Sequence, residues 1–74
     1  MKNNIKFLRR SPEFDLTQQE LAEELGISRS TINSIESGAV PSGYVMLKIS
    51  RYFNRDIRYI FFEDTVVQIE QKGE

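Results

Sequence analysis

The sequence predicts an all-α fold, a compact bundle of five short helices, and three observations carry that prediction. Apolar residues recur three and four positions apart through most of the chain, as in Leu21, Ala22 and Leu25 or Met46, Ile49 and Phe53. Residues that favour the start of a helix, Thr17, Ser28, Ser42 and Asp56, stand just ahead of such stretches. Glycine and proline punctuate the intervals at Pro12, Gly26, Gly38 and Pro41.

Each helix follows in order. Ile5 and Leu8 begin an amphipathic helix that should end near Arg10, because Ser11 precedes Pro12 and is biased away from helical geometry. Thr17 with Glu20 three residues later forms a capping box for a second helix carrying Leu21, Ala22 and Leu25. Gly26 suits a left-handed turn, Ser28 caps a third helix bearing Ile32 and Ile35, and Gly38 closes it. Pro41 and Ser42 lead into a fourth helix whose inward stripe is Met46, Ile49, Ser50 and Phe53. Asp56 caps a short fifth helix, with Ile57, Ile60 and Phe61 turned back into the bundle.

From Asp64 to Gln71 the character changes. Thr65, Val66, Val67 and Ile69 favour a strand, and Val67 and Ile69 are two apart. An isolated strand is unstable in water, so this segment either frays or pairs with a partner: the first residues, MKNN, or the same tail in a second copy. The expected organisation is a bundle over residues 1–64 and an acidic, strand-like tail over 65–74.

Composition removes several classes of function. At 74 residues the chain makes one small domain near the limit of a self-sufficient core, so stabilisation by self-association is expected. There is neither cysteine nor histidine, which excludes a disulfide framework, zinc sites of the usual kind and Cys/His or Ser/His/Asp catalysis. No glycine-rich phosphate loop is present, so the expectation is no enzyme, no cofactor and no metal. The amino-terminal MKNNIKFLRR lacks the apolar core of a signal peptide, and the purely apolar run IFF is far too short to cross a bilayer. A cytoplasmic protein without a membrane partner is expected.

The net charge of −1 is a poor overall signature for binding nucleic acid. Its distribution is more favourable: residues 1–62 carry nine basic against seven acidic side chains, and residues 63–74 one against four. The acidity is concentrated in the tail, and the bundle is free to present a positive face.

The stretch TQQELAEELGISRSTINSIESG, residues 17–38, has the layout of a DNA-reading helix-turn-helix. Ala22 is small enough to let the two helices approach, and Gly26, four residues on, tolerates the turn. With about 100° per residue and Arg29 set at 0°, Ile32 and Ile35 fall near 300° and 240°, whereas Asn33, Ser30 and Ser34 fall near 40°, 100° and 140°. The second of these helices therefore has a dry face and a hydrogen-bonding face.

These residues resemble the lambda-repressor-like, Cro/CI or Xre-type, helix-turn-helix family. The resemblance extends to IKFLRR, similar to the family's first helix, and to PSGYVMLKISRYFNRDIRYIF, similar to its fourth and fifth. Two departures stand out: SPEFD makes the first connection about two residues longer than usual, and SGAVPS is about one residue shorter and lacks basic side chains. The resemblance implies a sequence-specific regulator of transcription that binds double-stranded DNA, expected as a repressor on a palindromic operator. The competing reading is a protein-interaction module, antitoxin-like or a phage-switch partner, in which DNA binding is secondary.

Candidate contacts follow. Arg29, in the first turn of the reading helix, opposes the helix dipole and offers a fork of donors to guanine or to a phosphate. Ser30 and Ser34 match positions that touch base edges in the family, and Asn33 is able to pair with adenine. Gln18, at an amino end with free amides, matches a residue that holds the DNA backbone; Ser28, Thr31, Ser37 and Gly38 are further phosphate candidates. Glu36 sits at the unfavourable end of the helix dipole and calls for a cation nearby, and the family resemblance implies a structural ion pair with Arg9. The fifth helix is apolar on more than one side, so a homodimer interface is expected from Tyr59, Phe62, Val66, Val67 and Ile69.

Overall fold

The computed structural model describes residues 1–63 of the chain. A short strand β1 (Lys2–Asn3) precedes five helices: α1 (Ile5–Arg10), α2 (Gln18–Leu25), α3 (Arg29–Glu36), α4 (Gly43–Phe53) and α5 (Ile57–Ile60). A second strand, β2 (Phe61–Phe62), closes the order. The tail over 65–74, with Val66, Val67 and Ile69, lies outside the described residues.

Local chemistry sets the helix boundaries. The Thr17 hydroxyl accepts from the Glu20 amide at 3.0 Å while the Glu20 carboxylate accepts from the Thr17 amide at 2.8 Å, a complete capping box. Ser28, Ser42 and Asp56 cap α3, α4 and α5 by accepting from Thr31, Val45 and Arg58. Gly26 ends α2 at φ 72°, a left-handed conformation that disfavours any residue with a Cβ. Two sequence expectations shift slightly: the residue that ends α3 is Ser37, with Gly38 one step beyond at φ 117°, and Met46 and Ser50 are only half-buried, leaving Ile49 and Phe53 as the buried residues of α4.

The core is one cluster to which every helix contributes. Ile5 and Leu8 of α1, Leu21, Ala22 and Leu25 of α2, Ile32 and Ile35 of α3, Ile49 and Phe53 of α4, and Ile60 of α5 are all buried. The long first connection contributes too. Phe14 stacks edge-on against Phe53 at 4.8 Å between ring centres and tilts against Tyr52 at 5.7 Å, so SPEFD carries an aromatic plug. The neighbouring Asp15 takes a positive φ of 46° to complete the turn.

The carboxyl end of the bundle differs from expectation. Rather than extending α5, Phe61 is extended at φ −118° and ψ 131°, and β2 pairs antiparallel with β1, Lys2 opposite Phe62 and Asn3 opposite Phe61. The reason is that the Asn4 amide donates to the Ile60 carbonyl at 2.9 Å and its side chain to the Tyr59 carbonyl at 2.9 Å. The amino-terminal segment thus takes the last carbonyls of α5 and draws the chain into a ladder. Strand alternation then buries Phe61 and exposes Phe62.

Two outcomes follow. Phe14→Ala should lower stability by about 2 kcal/mol in urea or thermal unfolding, less than the roughly 3 to 5 kcal/mol of a fully buried phenylalanine, because Phe14 is half-buried. Parental stability in that variant would show the plug to be dispensable. At Asp56, the guanidinium of Arg58 first, and its amide second, hold the carboxyl below its ordinary value. A folded value below the unfolded one means the contribution is present above the unfolded pKa and is lost as pH falls through the folded one. Carboxyl NMR of the folded protein should therefore show Asp56 titrating below an unstructured aspartate, and Arg58→Ala should raise it.

Candidate nucleic-acid interface

The candidate interface is α3 with the elements that hold it. Helix α3 packs on α2 through the buried Ile32 and Ile35 and turns Arg29, Ser30, Asn33 and Ser34 outward, all exposed. Among the described residues, the side chains of Arg29 and Ser34 make neither a hydrogen bond nor an ion pair. Ser30 is engaged only with the Ser28 hydroxyl at 3.1 Å. The outward face thus presents donors and acceptors the bundle itself does not use.

The carboxyl end of α3 is fixed by a polar network. Arg9 Nε donates to Glu36 Oε2 at 2.8 Å and a terminal Arg9 nitrogen to Glu36 Oε1 at 3.1 Å, a two-pronged pair whose side chains are 6% and 8% exposed. The remaining terminal nitrogen of Arg9 donates to the Leu16 carbonyl at 2.9 Å, and the Leu16 amide returns a bond to the Arg9 carbonyl at 2.8 Å. Arg9 therefore holds both the third helix and the end of the long first connection.

Gln18 joins the same network. Its side-chain amide donates to Glu36 Oε1 at 3.1 Å and, more weakly, to Asn33 Oδ1 at 3.4 Å. Both amide hydrogens are thereby committed, so a phosphate at this position would be met by the main-chain amide of Gln18, or by its side chain after it lets go of Asn33. Asn33 is likewise inclined toward α2, and it would have to give up that contact to offer a base both its donor and its acceptor.

The other phosphate candidates are placed as follows. Ser28 is the cap of α3, and its hydroxyl also meets those of Thr31 at 2.8 Å and Ser30 at 3.1 Å, a hydroxyl cluster at the amino end of the helix. The main-chain amides of Ser37 and Gly38 both donate within the end of α3, to Asn33 and Ser34 and to Ile35, which leaves the exposed Ser37 hydroxyl as the available donor there. The Gly38 carbonyl accepts from the Met1 nitrogen at 3.1 Å.

Three residues that sequence reasoning missed complete the site. Lys48 of α4 donates to the Leu25 carbonyl at 2.6 Å and lies 5.1 Å from the centre of the Tyr44 ring, so it closes the end of α2 at the turn into α3. Asn3 donates to the Ile35 carbonyl at 2.8 Å and accepts from the Ile5 amide at 3.1 Å, tying the sheet to the end of α3. Arg10, exposed on α1, lines with Arg29 and Gln18 a polar cleft of about 550 Å³ beside the start of α2. The tandem arginines of LRR were its only sequence signal.

The family model described as helix-turn-helix matches residues 5–60. The chain belongs to this family, the Xre and Cro/CI-like helix-turn-helix proteins. An HTH-type transcriptional regulator of Methanocaldococcus jannaschii is 44% identical over 66 residues, covering 86% of this chain and 97% of the relative. One of Archaeoglobus fulgidus is 42% identical over 65 residues, with 86% and 89% covered. The regulator YgzD of Bacillus subtilis is 38% identical over 63 residues, with 84% and 92% covered. The family is one of DNA-binding transcriptional regulators, and its helix-turn-helix comprises α2 and α3. No helix among the described residues is long and apolar enough to cross a membrane.

Glu36→Ala should be costly to the fold. It leaves the Arg9 guanidinium buried without its partner, a loss of about 3 to 5 kcal/mol when a buried pair is broken from one side. The double variant Arg9→Met with Glu36→Leu should recover much of that in the same unfolding measurement. If Glu36→Ala melts with the parent, the pair does not support the bundle.

Proposed function

We propose that this protein is a sequence-specific transcriptional repressor that binds a palindromic operator as a homodimer in the cytoplasm. The observation that carries the reading is the outward face of α3, where Arg29 and Ser34 have no side-chain partner among the described residues, on a helix whose Ile32 and Ile35 are buried. In this reading α3 enters the major groove. Arg29, Ser30, Asn33 and Ser34 face base edges, while Gln18, Ser28, Thr31 and Ser37 face phosphates; Gly38, whose amide already donates to Ile35, shapes that corner without donating to a phosphate. Arg10 adds a second guanidinium on the α1 side, and Arg9 with Glu36 keeps the reading helix in register with α1.

The homodimer reading is supported by Tyr59 and Phe62, 47% and 38% exposed at the end of the chain's bundle. They are exposed apolar side chains on α5 and β2, close in sequence to Val66, Val67 and Ile69. Two reading helices entering successive major grooves must lie about 34 Å apart, and one domain carries a single reading helix, so the full operator calls for a second copy. Repression then needs nothing beyond occupancy of the operator.

Selection from randomised double-stranded DNA with the purified protein tests the whole reading, and a two-fold symmetric consensus is the expected result. Enrichment of no sequence would overturn it. On the selected site Arg29→Ala should cost about 1 to 3 kcal/mol and flatten the preference at one position per half-site if the side chain reads guanine. A loss that is equal on all sequences would assign Arg29 to phosphate. Tyr59→Asp with Phe62→Asp should sediment as a monomer and lose far more affinity for the full operator than for a half-site; an unchanged dimer mass would move the interface elsewhere.

A further inference from the structure

We propose that Val40, in the loop between α3 and α4, is a specificity-determining residue that reads the 5-methyl group of a thymine in the major groove. The inference rests on the reading of α3 as the base-facing helix and extends it to a residue outside that helix.

Val40 is 66% exposed, and it is not among the partly buried residues packed on the core. A single exposed valine needs no explanation in general. Its position is what matters here. Val40 lines a cleft of about 240 Å³ together with Ser30 and Ser34, two of the outward residues of α3, and with Ala39, Pro41 and Val45. Hydroxyl-bearing and aliphatic side chains both line this cleft.

The loop is held in place from both sides. The Ala39 amide donates to the Ser34 carbonyl at 3.0 Å, which pins the residue before Val40 onto α3. Beyond Pro41, Ser42 caps α4 by accepting from the Val45 amide at 3.2 Å. Val40 is therefore presented beside Ser34 by backbone bonds rather than by a mobile side chain, and its β-branch restricts χ1 further.

The chemistry of the loop favours a base methyl over a phosphate. Ala39, Val40 and Pro41 carry no positive charge and no side-chain donor, and proline has no amide hydrogen. In the major groove the thymine 5-methyl is the apolar feature that distinguishes base pairs, and small aliphatic side chains are what meet it. Ser30 and Ser34 pair with donors or acceptors alike, so an adjacent methyl contact supplies the discrimination they lack.

The test uses the operator selected by the full chain. Each thymine is replaced in turn by deoxyuridine, which lacks only the 5-methyl, and binding is measured for the parent and for Val40→Ser, which has no methyl. The parent should lose about four-fold at one thymine per half-site, what burial of one methyl group is worth, and about fifteen-fold when both half-sites are changed. Val40→Ser should bind thymine and uracil operators alike while still selecting the rest of the consensus. If no thymine is sensitive in the parent, or if Val40→Ser keeps the full thymine preference, the inference is wrong. Should the parent select no DNA at all, the repressor reading fails and this inference fails with it; selection with intact specificity but no methyl coupling overturns the inference alone.

Discussion

The bidentate pair between Arg9 and Glu36 is the constraint on which the rest of the molecule depends. Its two side chains are nearly out of water, at 6% and 8% exposure, so neither charge is tolerable without the other. Through its third donor Arg9 also reaches Leu16, and Gln18 adds a further bond to the same carboxylate. One carboxylate on α3 thereby fixes α1, the end of the long first connection and the start of α2. Bundles of this size have little apolar surface to spare, and a polar network that accepts one arrangement only supplies uniqueness that a small core of aliphatic side chains does not.

A second tie acts at the same end of α3. Asn3 holds the Ile35 carbonyl, and β1, to which it belongs, pairs with β2 just after α5. The strand that carries Phe62 and the end of α3 are therefore connected through two strand residues, so the position of α3 relative to β2 is set within the chain itself.

How much of this was legible in the sequence follows from the range of each interaction. The helices and their caps were readable because capping, left-handed turns and apolar stripes are decided within four residues: Thr17 with Glu20, Ser28 with Thr31, Gly26 at φ 72°. The plug of Phe14 on Phe53, the closure of α2 by Lys48 and the tie of Asn3 to Ile35 join residues far apart in sequence, and no local pattern announces them. Phe61 shows the two regimes in conflict. Its spacing from Ile57 and Ile60 reads as a helical stripe, and its burial is as that stripe implies, but the bonds from Asn4 to the last carbonyls of α5 impose extended geometry. The outward residues of α3 were readable as a face; that Gln18 and Asn33 lean on each other was not, because it depends on how closely α2 and α3 pack.

The near-neutral charge of the chain bears on how such a protein would distinguish one site from others. Few cations on the candidate interface would mean weak binding to arbitrary sequence and a shallow dependence on salt, since counterion release follows the phosphates that Lys and Arg neutralise. Arg10 and Arg29 line the cleft at the start of α2 beside Arg9, which is paired with Glu36, whereas the loop after α3 has no cation. A scaffold arranged this way would have little electrostatic background to rely on, and under the proposed reading its discrimination would have to come from direct contacts at α3. That is consistent with a helix held by two separate ties at its carboxyl end: with short serine side chains on the outer face, small errors in the position of α3 would remove contacts that longer side chains would bridge.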